Sequence, residues 1–226
     1  MFNANHPASE GGRQVQPKII ATVPCYHAVE PEPFINFLVL SQATGKAEQR
    51  GEYSVRWCVP GPKIPTVIAR NTASAFVIEY NTDYLLLIDD DMAVPANLLD
   101  VLLRRNVDII SPLFFRSSPP FDPLIFEFDE GGNRVPMYNY PKNAVFETPA
   151  GSGTGVMLIK ARVLRLMGSP YWIGSTDPTM GEDMDFCDRA RRLGFRTWCD
   201  SSIEARQMSL PIAIGSSHYG RQRLTR

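Results

Sequence analysis

Apolar residues in this chain come in short bursts set apart by Pro, Gly and charged positions, and the bursts alternate between two periods. Residues 18–24 (KIIATVP), 53–59, 84–88 (YLLLI), 107–113, 156–160 and 195–199 are short runs that read as strands. Between them, residues 33–41, 66–80, 95–105, 161–167 and 181–193 carry apolar side chains near helical spacing. Pro33 and Pro95 suit a first helical turn. Leu98, Leu99, Leu102 and Leu103 fall on one helical face. Met184, Cys187, Ala190 and Leu193 recur at steps of three, and Gly194 is placed to end that helix. YLLLI is wholly apolar, which predicts a strand buried on both faces in the middle of a parallel sheet. Strand and helix alternating in this way predict one mixed α/β domain with a central, mostly parallel sheet flanked by helices.

Three stretches depart from the alternation. Residues 1–17 are polar and predict a flexible lead-in. Residues 117–148 are rich in Pro, Gly, Asn and aromatics without a helical period, and predict hairpin-like or irregular structure near a site. From Ser201 onward the chain reads as loop. The domain is therefore set at 18–204, with 205–226 as a tail that can fold over the site.

Composition narrows the function. The formal charge of −1 lacks the basic excess of a nucleic-acid groove, but leaves small anionic ligands open, since a metal can supply positive charge. The four cysteines have no CxxC spacing and there are three histidines, so a zinc site is not expected. Scattered cysteines, no targeting segment and no apolar run near the ~20 residues of a membrane span predict a cytoplasmic protein with reduced thiols.

The candidate chemistry centres on Asp89-Asp90-Asp91, directly after YLLLI. Ligands of open α/β sheets bind beyond the carboxyl ends of the strands. If the strand continues, alternation puts Asp89 and Asp91 on one side and Asp90 on the other. Two carboxylates so spaced repel by about 2.5 kcal/mol at an effective dielectric near 20. A hard divalent cation reverses that sign, and Mg²⁺ or Mn²⁺ is held by one or two carboxylates together with phosphate oxygens. The plainer reading is a solvated acidic turn. Gly181-Glu182-Asp183 opens a helix, where carboxylates gain from the helix dipole. Trp172, in SPYWIG, reads either as an exposed binding surface or as core.

KIIATVPCY, ARN, YLLLIDDDM, GSGTGVMLIK and GEDMDFCDRARRLGF, in that order over residues 18–207, resemble the GT-A fold glycosyltransferases, nearest the family-2-like members. The resemblance implies a Rossmann-like GT-A domain that moves a sugar from a UDP- or GDP-linked donor to an acceptor hydroxyl with Mn²⁺ or Mg²⁺. It implies that Asp89 and Asp91 hold the metal, and that Pro24, Tyr26, Arg70, Asn71, Asp89 and Asp90 bind the donor. It places Gly153, Thr154 and Gly155, with Trp172, beside the sugar or acceptor. Asp183 becomes the general base of an inverting reaction, Glu182 touches the acceptor, and Asp185 faces elsewhere. Where the family often has a metal-binding histidine, this chain has Gln207, which is not expected to bind metal. His218 is the residue expected to replace it. Two other readings stay open: a nucleotidyltransferase acting on a sugar phosphate, disfavoured because the first strand ends in Pro24 and not in a basic Gly-rich loop, and a non-catalytic nucleotide-sugar-binding protein.

Overall fold

Successive residues of one strand face opposite layers of this protein, and that division decides which helices can reach the site. In the computed structural model, which describes residues 16–25, 29–174, 181–209 and 212–214, strand β3 (Tyr84–Ile88) is buried on both faces, as its composition predicts. Its neighbours are β1 (Lys18–Thr22), parallel, and β9 (Val156–Lys160), antiparallel. Beyond β1 lies parallel β2 (Ser54–Cys58). Beyond β9 come β5 (Ile109–Leu113), then β10 (Thr197–Glu204), parallel to β5, and β8 (Val145–Glu147), antiparallel to β10. The sheet order is β2-β1-β3-β9-β5-β10-β8. The fold class is therefore the expected one, a mixed α/β domain with a mostly parallel central sheet and helices on both sides.

Leu86 and Ile88 pack with Leu40 and Ala47 of α1 (Pro31–Gln49) and with Leu98, Leu99 and Leu102 of α3 (Leu98–Arg105). Leu85 and Leu87 face the other way. They meet Ala73 and Val77 of α2 (Thr66–Glu79), Val163 and Leu164 of α4 (Ala161–Met167), and Phe186 and Ala190 of α5 (Glu182–Arg192). Helices α2 and α5 thus share one layer, and the next residue in that parity is Asp89.

Three differences from the sequence expectation have local causes. Helix α1 runs through Gly45 to Gln49, because Leu40, Thr44 and Ala47 keep a buried face at steps of four and three. In α5 the buried face includes Phe186, while Leu193 is the exposed C-cap residue and Gly194 takes φ +89. The chain beyond Ser201 is not loop: β10 continues to Glu204 and β11 (Arg206–Ser209) pairs with β4 (Met92–Ala93) on one side and β12 (Ile212–Ile214) on the other. Ile203 and Ala205 are buried in the core there, so the extended backbone is fixed by packing. The 117–148 stretch does contain a hairpin, β6 (Phe126–Phe128) against β7 (Arg134–Pro136). Cys187 and Cys199 are buried and Cys25 and Cys58 half-buried, all as free thiols. Among the described residues, no helix is long and apolar enough to cross a membrane.

Candidate active site

Strand β3 ends at Ile88, and the three aspartates that follow form a turn rather than more strand. Met92 N–H donates to the Asp89 carbonyl at 3.1 Å, and Asp89 N–H donates to the Gly155 carbonyl at 2.8 Å. Strand alternation therefore does not put Asp89 and Asp91 side by side. Asp89 keeps the parity of Leu85 and Leu87 and turns toward α2 and α5. Asp91 turns toward β11.

Arg70 of α2 meets Asp89 first. It is 2% exposed. Its Nη2 donates to Asp89 Oδ1 at 2.8 Å and Oδ2 at 3.0 Å, and its Nη1 donates to Glu182 Oε1 at 2.9 Å. Burial works against the charge on this guanidinium, but Asp89, and then Glu182 and Asp183, outweigh it and hold Arg70 firmly protonated. Among the described residues, its buried Nε has no hydrogen-bond partner. Arg70 is thus a clamp between the end of β3 and the start of α5.

Asp183 lies one residue beyond Glu182, in the first turn of α5. Its Oδ1 accepts the Met184 N–H at 2.8 Å. Burial raises its pKa most, Glu182 raises it further, and the Met184 N–H and Arg70 work in the opposite direction; the balance is upward. A Cβ at Gly181 would stand 2.6 Å from Asp183 Oδ1, so the glycine makes room for the carboxylate. Asp185 does face elsewhere, onto Arg189 at 2.9 Å.

Asp91 Oδ2 accepts a hydrogen bond from Gln207 Nε2 at 2.9 Å, and the Asp91 carbonyl accepts the Met208 N–H at 2.8 Å. Burial raises the pKa of Asp91 despite the Gln207 bond, and Asp89 and Asp90 add to the rise. His218 and Tyr26 lie outside the described residues. Among the described residues, no three His, Cys, Asp or Glu side chains form a group spaced to hold a metal ion. Asp89 and Asp91 offer carboxylate oxygens, the kind Mg²⁺ or Mn²⁺ takes together with phosphate oxygens, while Arg70 holds both oxygens of Asp89 and Gln207 holds one of Asp91. Arg70 brings one positive charge to Asp89, Glu182 and Asp183 together, which leaves the locality negative.

Several expected ligand contacts are structural instead. Asn71 Nδ2 donates to the carbonyls of Trp172 at 2.7 Å and Val67 at 2.9 Å, and its Oδ1 accepts the N–H groups of Tyr171 at 2.8 Å and Trp172 at 3.1 Å. That uses both of its donors and both lone pairs, so it is not free for the donor. Trp172 is 1% exposed, stacks on Phe186 at 4.1 Å, and donates from Nε1 to Ser74 at 2.9 Å. It is core beneath Arg70, whose guanidinium lies 5.4 Å from its ring, and not a sugar platform. Gly153 and Thr154 are buried, and added Cβ atoms at Gly153 and Gly155 would stand 3.3 and 3.2 Å from the Phe114 ring. The GSGTG run therefore backs the aspartate turn, with the Gly155 carbonyl on Asp89 N–H, and offers no side chain to an acceptor. Pro24 is buried at the end of β1; next to it, the Cys25 thiol is raised by burial and by Asp90, which sets this strand end beside the turn.

Sequence reasoning set Gln207 where the resembled family has a metal-binding histidine but did not foresee its hydrogen bond to Asp91, and it missed Ser74 as the link between α2 and Trp172. The first needs the pairing of β4 with β11, which no local pattern encodes. A separate cleft of about 290 Å³, lined by Gly151, Cys187, Asp188 and Arg191 among others, includes none of the aspartates above.

No protein-family model matches the sequence, and no curated protein matches it. Among solved structures the chain is similar to A197 from STIV, with a TM-score of 0.59 at 16% identity over 89% of this chain and 91% of that one. It is more loosely similar to 4-diphosphocytidyl-2C-methyl-D-erythritol synthase from Anaerococcus prevotii, with a TM-score of 0.42 at 10% identity over 93% of this chain and 99% of that one. A glycosyltransferase involved in glycosylation of the major capsid of PBCV-1 gives a TM-score of 0.33 at 12% identity over 69% of this chain and 70% of that one. The first likeness is one of fold, and the two looser ones carry no inference.

Proposed function

We propose that this chain is a metal-assisted glycosyltransferase that moves a sugar from a nucleotide-diphosphate donor to an acceptor hydroxyl with inversion. The observation that carries the reading is the double clamp of Arg70, at 2.8 Å from Asp89 and 2.9 Å from Glu182. It draws the aspartate turn at the carboxyl end of the sheet against the acidic start of α5. A group that can lie against a bound diphosphate and a group that can take a proton are thereby held in one place.

Asp183 is the base. Its raised pKa makes its carboxylate a stronger proton acceptor than an ordinary aspartate, and the Met184 N–H fixes one of its oxygens. As the acceptor oxygen bonds to the anomeric carbon, the bond from that carbon to the diphosphate oxygen breaks and the hydroxyl proton passes to Asp183. Asp89 and Asp91 are the residues that would hold Mn²⁺ or Mg²⁺. When bound, the cation supplies positive charge that stabilises the departing nucleoside diphosphate without a proton. Glu182 and Arg70 keep these carboxylates in position.

The test is incubation of the full chain with a panel of UDP- and GDP-sugars and Mn²⁺, read by mass spectrometry. Release of a nucleoside diphosphate supports the reading, and loss of that release in Asp183→Asn assigns the base. Pyrophosphate formation from a sugar phosphate and a nucleoside triphosphate would replace it with nucleotidyl transfer. Binding without either product would replace it with a non-catalytic role.

A further inference from the structure

We propose that the outer face of α1 is the contact of a two-fold homodimer, in which α1 of one copy packs antiparallel on α1 of a second copy. The inference stands apart from the catalytic reading. A helix packed on a sheet normally turns its apolar side chains inward and its polar ones outward. Helix α1 buries Pro33, Leu40, Thr44 and Ala47, yet Phe34, Ile35, Leu38 and Val39 also stand on its open side, each 45–57% exposed. At about 100 Å² for each half-exposed side chain, the four offer roughly 400 Å² per copy. Monomers also carry patches of that size, so area does not choose the occupant. The order of residues along the helix does.

The open face is large and apolar in its first half and small or polar in its second. A two-fold axis across the helix lays one half on the other, so that residue i of one copy meets residue j of the second and j meets i. At about 3.6 residues per turn, Glu32, Ile35, Val39, Ala43 and Lys46 run along one flank of this face, and Phe34, Leu38, Ser41 and Gly45 along the other. One register serves both flanks. With Val39 on the axis against its own copy, Ile35 lies over Ala43 of the second copy and Phe34 over Gly45 of the second copy. The space for it exists: a Cβ at Gly45 would meet nothing within 4 Å among the described residues. The same register sets Glu32 beside the exposed Lys46 of the second copy, once at each end. Glu32 already holds Arg206 at 2.6 Å, and a carboxylate has lone pairs for a second cation. Glu30 and Glu48 come together only at the outer edge, where salt and water screen them. These acids suit a second copy and disfavour an anionic lipid surface. The pairing also leaves the candidate site open, because α1 packs on the face of Leu86 and Ile88 while Asp89 turns to the layer of α2 and α5. The contact is at the low end of interface size, so the dimer should dissociate on dilution.

The experiment is sedimentation velocity of the full chain over a wide range of concentration, with each variant first checked by circular dichroism. Wild type should pass from monomer to dimer and stop there. Leu38→Glu should raise the dissociation constant about 30-fold, the loss on removing a central apolar anchor. Gly45→Leu should raise it as much without lowering the urea midpoint, since its Cβ meets no atom in the single copy and a mid-helix glycine is removed. Glu32→Lys and Lys46→Glu should each weaken the dimer, and the double variant should regain most of the lost affinity. A wild-type monomer at every concentration, assembly that grows past the dimer, or a dimer that Leu38→Glu and Gly45→Leu leave intact overturns the proposal. A double variant no tighter than its parents overturns the antiparallel pairing. Co-sedimentation of monomeric wild type with phosphatidylserine–phosphatidylcholine vesicles, lost in Leu38→Glu, would replace the second copy with a membrane surface.

Discussion

Arg70 and Asp89, 19 residues apart in sequence, are joined through a single guanidinium nitrogen at 2.8 and 3.0 Å, with the arginine side chain 3% exposed and the aspartate 29%. The asymmetry matters. Asp89 and Glu182 can regain water if the pair is broken, whereas Arg70 cannot. Removing the arginine therefore strands no fully buried carboxylate, and Arg70→Ala should cost about 3 kcal/mol, the low end for breaking a buried pair. Removing either carboxylate alone leaves Arg70 its second partner, so Glu182→Gln should cost less than Arg70→Ala. Urea unfolding of the three proteins, with equal m-values, checks the order.

Much of this architecture is legible in the residue pattern. The uniform apolarity of YLLLI marks the central strand, and the parity of Leu85 and Leu87 puts Asp89 in the layer of α2 and α5. Three features are not legible. Gln207 meets Asp91 across 116 residues through strand pairing, which depends on the folded edge of β4. Trp172 has the same amphipathic ring whether it is open or buried, and only the stacking on Phe186 decides. Gly45 reads as a helix breaker, yet the burial of Thr44 and Ala47 outweighs the roughly 1 kcal/mol that a mid-helix glycine costs.

Asn71 should behave as a structural residue. All four of its hydrogen-bonding positions are used on backbone groups of Val67, Tyr171 and Trp172. Asn71→Leu leaves the N–H groups of Tyr171 and Trp172 without their acceptor, at about 1–3 kcal/mol for each group that stays buried. A lower urea midpoint with an unchanged KM for the donor is the expected pair of results; a higher KM with unchanged stability would return Asn71 to donor binding.

The raised pKa values of Asp91 and Asp183 fix the sign of a pH effect on stability. Between the ordinary aspartate value, about 3.9, and the raised native values, the folded chain holds more protons than the unfolded one. Stability from these groups is then full at low pH and falls as pH rises through the native pKa values. Asp183→Asn should flatten part of that fall in thermal or urea unfolding from pH 4 to 8. Asp91→Asn should do the same at its own site.

Gly181→Ala separates positioning of the base from folding. The backbone φ at Gly181 is −72, which alanine adopts without strain, and the residue makes no side-chain cap to α5. Its new Cβ would nevertheless stand 2.6 Å from Asp183 Oδ1, well inside contact distance. The carboxylate must swing off the Met184 N–H, because Asp183 sits in the helical backbone of α5 and its side chain is the softer part. Stability should change by no more than about 1 kcal/mol, the scale of an N-cap substitution. Turnover should fall by a large part of the 10²–10⁴-fold that a general base contributes, with donor affinity unchanged. Parallel measurement of kcat, donor KM and the urea midpoint checks the split, and a kcat equal to wild type would remove Asp183 from the chemistry.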